Sequence, residues 1–272
     1  MPVSERQLAA FADTHAWQVP YDTSPRHLAG PGDGRHVTHG LAAVGWRRTS
    51  DPLSPEIVLT SPDQRYSLQF DPQSDTSAWW RLRAEPTDTE PHWYAEFGAL
   101  VPAEILSAVT DALVAPSPGE QPDPWHVLSC AGWLLDSPGQ AHSPDAMCHI
   151  ELRHLDGHDA PSWHIETREP GYGDYAGPRI WHAYFNSRTP ARLVTAFLSA
   201  LADSSPLQRG MFSRTAHYSV VQEPSPLTPR QVVAAHTARL DALRAQARTA
   251  RRQRPTTAKA PAPPSTAASL RR

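Results

Sequence analysis

One stretch of the chain occurs twice, and no other feature limits the possible folds as much. Residues 93–113 read WYAEFGALVPAEILSAVTDAL and residues 181–201 read WHAYFNSRTPARLVTAFLSAL, with 8 of 21 positions identical in a gapless comparison. In each copy Trp, Ala and Phe alternate, as on one face of a β-strand. A proline follows (Pro102, Pro190) at a place where a first helical turn tolerates a missing N–H. Then Ile105, Leu106, Val109 and Leu113, or Leu193, Val194, Phe197 and Leu201, form a single helical stripe. The unit is a strand running into a helix that can fold back over it. It explains architecture and carries no chemistry.

The flanks repeat as well. His36–Trp46 aligns with Asp123–Trp133 through His39/His126, Leu41/Leu128, Gly45/Gly132 and Trp46/Trp133. This pattern predicts a short helix closed by glycine and a strand that starts at the Trp. Ser61-Pro62-Asp63 recurs as Ser143-Pro144-Asp145, turn chemistry in both cases. Alternating runs follow, with Tyr66, Leu68 and Phe70 matching Cys148, Ile150 and Leu152. Pro55–Thr60 reads as a good strand, whereas its counterpart Gly139–His142 is weak enough to be short or lost. A further strand begins at Trp80 and at Trp163. The fold class expected is α+β: two tandem α-β-β-β-β-α repeats with antiparallel sheets, each covered by a helix. Neither copy, at about 80 residues, buries much alone, so the two are expected to pack together.

The expected boundaries are an N-terminal helix and loop over 1–35, a first repeat over 36–114 and a Pro-rich linker over 115–124. A second repeat follows over 123–202, then a connection over 203–227, a basic helix over 228–252 and a disordered tail over 253–272. Within the first segment, residues 4–13 read as a helix capped by Ser4, and residues 18–34 as a loop ending in Gly-Pro-Gly-Asp-Gly. Residues 211–221 read as an extra strand. Thr228-Pro229 opens the basic helix, whose apolar stripe of Val233, Leu240, Leu243 and Ala247 can dock a partner helix or the body itself.

Composition matters in four places. The 29 prolines and the 39% hydrophobic share fit many short elements. No run reaches the roughly 18 apolar residues of a membrane span, and residues 1–11 lack a signal-peptide pattern, so a cytoplasmic protein without a membrane partner is expected. Cys130 and Cys148 are too few for a disulfide framework. Residues 239–272 carry nine basic groups against Asp241, which leaves an acidic body attached to a basic end although the net charge is only −3.

These motifs resemble the SPDY domain family. The resemblance rests on His27-Leu-Ala-Gly-Pro-Gly-Asp33, Gly45-Trp46, Ser61-Pro62-Asp63, Trp79-Trp80 and Trp93-x-Ala-x-Phe97. In the second copy it rests on Gly132-Trp133, Ser143-Pro144-Asp145 and Trp181-x-Ala-x-Phe185. It covers residues 20–202. It implies a domain of unknown function, found mostly in actinomycete proteins, often in tandem and on mobile or accessory elements. No activity carries over to any position, and Gln64 and Ala146 stand where the family name has tyrosine.

Candidate chemistry is sparse. Six of 14 histidines lie between His142 and His182. With the apolar alternation facing inward, a meander would set His149, Glu166 and His182 in one cross-strand row and Glu151, His164 and Tyr184 in the next. Imidazoles and carboxylates so placed can hold a zinc-like ion or act as acid and base, so His149, His164, Glu166 and His182 are the candidate metal set. A solvated sheet face is the simpler reading. His154-x3-His158 has ligand-like spacing but falls in a hairpin loop. Trp46, Trp80, Trp93, Phe97, Trp133, Trp163, Trp181 and Phe185 are expected core residues, whereas Trp79 and Trp125 lack counterparts and suit an exposed contact. Arg239, Arg244, Arg248, Arg251, Arg252 and Arg254 can meet phosphates. No catalytic residue and no cofactor are indicated, and Gly-x-Ser-x-Gly and Cys-x-x-Cys motifs are absent. The leading expectation is a non-enzymatic binding or adaptor protein with an unknown protein partner. The alternatives are a nucleic-acid-associated accessory protein using the basic helix and a metal-dependent or acid–base enzyme using the histidine face.

Overall fold

A computed structural model of the chain describes residues 3–116, 122–154, 160–171 and 176–253. It begins with α1 (Glu5–Ala16), β1 (Pro20–Ser24) and a 3₁₀ turn (Arg26–Leu28). The first repeat comprises α2 (Arg35–Ala43), β2 (Arg47–Arg48), β3 (Ile57–Thr60), β4 (Tyr66–Phe70), β5 (Ala78–Ala84), β6 (Trp93–Gly98) and α3 (Ala103–Val114). The second comprises α4 (Pro124–Cys130), β7 (Leu134–Ser137), β8 (Gln140–His142), β9 (Cys148–Arg153), β10 (Ser162–Arg168), β11 (Arg179–Phe185) and α5 (Ala191–Ala202). The chain continues through β12 (Leu207–Gly210), β13 (Val221–Pro224) and α6 (Pro229–Gln253).

Local chemistry sets the ends of these elements. Ser4 and Gln7 form a reciprocal capping box on α1, and Thr228 and Gln231 exchange the same pair of bonds at α6. Pro102 and Pro190 stand one residue before their helices, and their carbonyls accept from the N–H groups of Ile105 and Leu193. Both Ser-Pro-Asp turns are built alike. Ser61 Oγ donates to Asp63 Oδ1 at 2.6 Å and accepts from Tyr66 N at 2.9 Å, and Ser143 does the same with Asp145 and Cys148 N. The next residue, Gln64 or Ala146, has a left-handed φ of 61° or 57°, a conformation that few L residues adopt. The turn is therefore a shared structural device.

The two repeats make a single ten-stranded antiparallel sheet in the order β2-β3-β4-β5-β6-β11-β10-β9-β8-β7. At the central seam Phe97 pairs with Ala183, Glu96 with Tyr184 and Ala95 with Phe185. Phe97/Phe185 and Ala95/Ala183 are repeat equivalents, so the pairing is self-complementary and a pseudo-twofold axis runs between Glu96 and Tyr184. α2, α3, α5 and α4 line up in that order over one face. Between these helices and the sheet, Phe97 and Phe185 meet Phe197 of α5 at ring separations of 5.3–5.7 Å. Trp93 and Trp181 occupy equivalent places and are each 2% exposed.

Several expectations need correction. Each repeat has five strands rather than the four of the expected α-β-β-β-β-α order; the strand expected to start at Trp46 and at Trp133 does form, one residue later, as a short strand at each outer edge of the sheet. Residues 18–34 are not all loop. β1 lies between β12 and β13 in a separate three-stranded sheet, and its partners lie about 180–200 residues further along the chain, so nothing local announces it. Residues 211–220 are not a strand; they connect β12 to β13, which begins at Val221, the last residue of the expected strand. Trp163 is half-buried rather than core and stacks on Trp125 at 5.0 Å. Trp125 and Trp79, expected to be exposed, are half-buried against the core. Leu240 and Leu243 bury the stripe of α6 against the body, where α6 packs on α1 and α2. The expected disordered tail, except its first residue, lies outside the described residues.

Candidate functional site

The histidine rows form in the register that alternation demands: Glu166 pairs with His149 and His182, and His164 with Glu151 and Tyr184. They do not assemble a metal centre. Glu166 turns to two arginines instead, accepting from Arg168 at 2.6 Å and Arg179 at 3.2 Å. Burial works to raise its carboxyl, yet these guanidiniums hold it below the ordinary value. Burial, followed by Arg153 or Arg179, pushes His164 and His182 below the usual imidazole value, so both are neutral at pH 7. Tyr184, desolvated beside Tyr94, is pushed up to about 12. His149 is exposed. Among the described residues no group of three or more His, Cys, Asp or Glu is placed to hold a metal ion. His158, the second member of the spaced pair, lies outside them.

The basic helix is also partly committed. Arg239 forms a two-pronged pair with Asp111 at 2.6 and 2.7 Å and bonds to His36 O at 2.9 Å, and Arg244 pairs with Asp241 at 2.8 Å. Arg248 and Arg252 are exposed. The Arg251 side chain and Arg254 lie outside the described residues.

The site that the sequence left unread is a cleft of about 640 Å³ between α1, the Gly-Pro-Gly-Asp-Gly loop, β12 and α6. Its floor is Arg209, which is 4% exposed and reaches Glu104 at 2.6 and 3.0 Å. Burial works to raise the Glu104 carboxyl, and Arg209 with His36 outweighs it and holds the value low. Arg209 also donates to Ala29 O at 2.9 Å and Gly30 O at 3.0 Å, fastening the glycine loop. Gly32, at φ +63°, passes so close that a Cβ would stand 2.8 Å from Glu104 Oε2. The glycine run is therefore a loop folded over a buried ion pair.

His236 lines the cleft and is backed by a buried ring cluster. Phe11 stacks on His236 at 4.0 Å, and His39 Nδ1 lies 3.2 Å from His236 Nε2. Burial drives His39 to about 4 and His236 to about 3, so both are neutral bases at pH 7. His236 Nδ1 is buried with no hydrogen-bond partner among the described residues. Pro31, Leu207, Leu227 and Val232 supply apolar wall, and Arg214 is exposed and contributes to the lining. Asp33 and Arg35 pair at 2.6 Å. The only local hints of this site were the glycine run and His36 next to it.

The fold defines a class: a tandem-repeat α+β protein whose two copies share one antiparallel sheet. Within that class, residues 60–119 and 142–207 match the SPDY family, a domain of unknown function (DUF317). The two matched segments fall one in each repeat, so the likeness to that family follows the duplication. No curated protein and no solved structure matches the chain.

Proposed function

We propose that the chain is a non-enzymatic binding protein, and that the cleft beside α6 receives a small, largely apolar organic ligand with one anionic or hydrogen-bonding end. The observation that carries this reading is the state of the polar groups in the cleft. Arg35, Arg209 and Arg239 are each tied to a carboxylate of the chain, and His236 is neutral. Such a lining positions a ligand and offers no activated nucleophile or matched acid–base pair. The volume lies within the range of about 300–1,000 Å³ usual for small-molecule sites. Two free thiols, Cys130 and Cys148, suit the reducing cytoplasm in which we place the protein, with an unknown protein as its partner.

Anilinonaphthalene sulfonate, an apolar dye with one anionic group, is a suitable probe. Its fluorescence should rise in a saturable, single-site manner with the folded protein. Val232→Trp, which fills the cleft, should abolish that signal, and Arg214→Ala should weaken it. Dye binding untouched by Val232→Trp would place the ligand elsewhere.

A second reading, contact with nucleic acid through α6, draws on Arg248 and Arg252, which are exposed beyond the buried part of the helix. Removing both charges should weaken binding to a generic duplex and flatten its salt dependence by about two counterions. Unchanged affinity would end this reading.

A further inference from the structure

The mouth of the cleft beside α6 is ringed by apolar side chains that face solvent. Of the ten large apolar side chains exposed among the described residues, five stand here: Trp17 at 92%, Phe212 at 95%, Val19, Met211 and Leu227. Two tips carry the largest. α1 ends at Ala16 and Trp17 caps it, with Gln18 N donating to His15 O at 3.1 Å. β12 ends in a tight turn, where Ser213 N donates to Gly210 O at 2.9 Å and Gly210 N to Ser213 Oγ at 3.0 Å. Met211 and Phe212 are thereby left at the corner. The Gln18 side chain packs so near Gly210 that a Cβ there would stand 3.1 Å from it, which makes the two tips neighbours. Val19 and Met211 lie just past the last pair of β1 with β12, Pro20 with Gly210. Leu227 is drawn to the same end by a bond from Ser225 N to Pro20 O at 3.0 Å.

These knobs border a hole. Gln18, Pro20, Gly210, Ser213 and Leu227 all line the cleft. Trp17 and Val19 flank Gln18 in the chain, and Met211 and Phe212 lie between Gly210 and Ser213. A surface with a knob beside a hole is complementary to itself: under a twofold axis through the rim, the knob of each copy meets the hole of the other. The size suits such a pairing. A buried aromatic side chain contributes about 150–250 Å², so Trp17 and Phe212 supply roughly half of the ~800 Å² per partner that a stable interface needs. Val19, Met211, Leu227 and the cleft rim can furnish the remainder. The charges agree. Asp13, one helical turn before Trp17, and Arg214, which lines the cleft, are both exposed. A rim that bears both signs matches a copy of itself better than an anionic bilayer, which would repel Asp13.

We propose that this rim is the interface of a homodimer, in which the Phe212 side chain of each copy enters the mouth of the other's cleft and Trp17 packs on its edge. Each cleft is then closed by the second copy, so that pairing completes the site. The dimer does not rest on the small-ligand reading. Copies can associate whether or not a ligand is bound, and a monomer can take up a ligand, so either proposal can fail without the other.

Sedimentation velocity of the full-length chain over a dilution series should show a reversible monomer–dimer equilibrium with no larger species. Phe212→Ser should weaken the pairing about tenfold or more, and Trp17→Ser should weaken it as well. Neither should lower the melting temperature of the monomer, because these side chains are 95% and 92% exposed. A photoreactive benzoyl-phenylalanine in place of Phe212, in a mixture of isotope-labelled and unlabelled chains, should cross-link between chains to residues 18–20 or 227–229. A chain that stays monomeric at high micromolar concentration, a dimer indifferent to both serine substitutions, or cross-links that fall elsewhere would overturn the proposal. So would a monomer that binds phosphatidylcholine vesicles and loses that binding with Phe212→Ser, since the rim would then belong to a bilayer.

Discussion

Arg209 places all of its N–H groups inside the fold: on Glu104, on the carbonyls of Ala29 and Gly30, and on its neighbour's carbonyl at Gln208. Arg209→Met would leave Glu104 facing the cleft floor without its counter-ion and would release the glycine loop. Breaking one side of a buried pair costs about 3–5 kcal/mol, and urea denaturation should show a loss of that size. The histidines make a different prediction at the same scale. An unfolded histidine takes up its proton near pH 6.5, but His39 and His236 resist until about 4 and 3 because burial penalises the cation. Between these values the unfolded state binds more protons, so stability is complete above pH 6.5 and falls as the pH drops towards 4. At pH 5 the loss is bounded at about 2 kcal/mol for each histidine relative to pH 7.5. Asp145 and Glu104 are shifted the other way, with carboxyls held below their ordinary values of 3.8 and 4.5, so their contribution fades only under more acidic conditions. Denaturation midpoints at pH 7.5 and 5.0 separate the two windows. His236→Phe, which keeps a ring against Phe11, should flatten the drop; a slope unaltered by that change would remove the cluster as its source.

At the scale of elements, α6 behaves as part of the body, with Leu240 and Leu243 each under 5% exposed and Arg239 fixed to Asp111 of α3. Leu243→Ala should cost about 2–5 kcal/mol, as a cavity against α2 would. Deleting residues 228–272 should lower the melting temperature markedly, whereas a dispensable tether would leave it unchanged. The stripe that docks this helix was legible in the sequence from its local period, as were the helices and most strands of the two repeats, which are also written twice. The register of the histidine rows was legible for the same reason. Their neutralisation was nearly so, since Arg168 lies two residues from Glu166 on the same strand and therefore on the same face. The three-stranded sheet was not, because Asp22 and Gln208 pair across 186 residues and the β1 segment alternates too briefly to signal a strand. The cleft depends on that sheet, and on a buried pair between Arg209 and Glu104 whose partners lie on elements 105 residues apart. Long-range contacts of that kind leave no periodic trace for a reader of single segments.

The whole molecule is held together by arms that cross its seam. The N-terminal region sends β1 to β12 and β13 and His27 to Asp145 of repeat two, while α6 returns from repeat two to cover α2 of repeat one. The seam itself joins only three residue pairs of β6 and β11, backed by Phe97, Phe185, Phe197 and the contact of α3 with α5. Each half therefore leaves apolar surface and unpaired strand edges that only the other half can cover, which ties their stability together. Unfolding should follow one cooperative transition, and Phe185→Ala, expected to cost about 3–5 kcal/mol, should shift probes in both repeats together. The stronger test divides the chain. Fragments 1–119 and 120–272, expressed separately, should each lack a cooperative melt; co-expressed, they should copurify and elute at the mass of the intact chain. Two fragments that melt cooperatively on their own would mean that the crossing arms decorate two independent domains. The pseudo-twofold axis would then describe their ancestry without accounting for their stability.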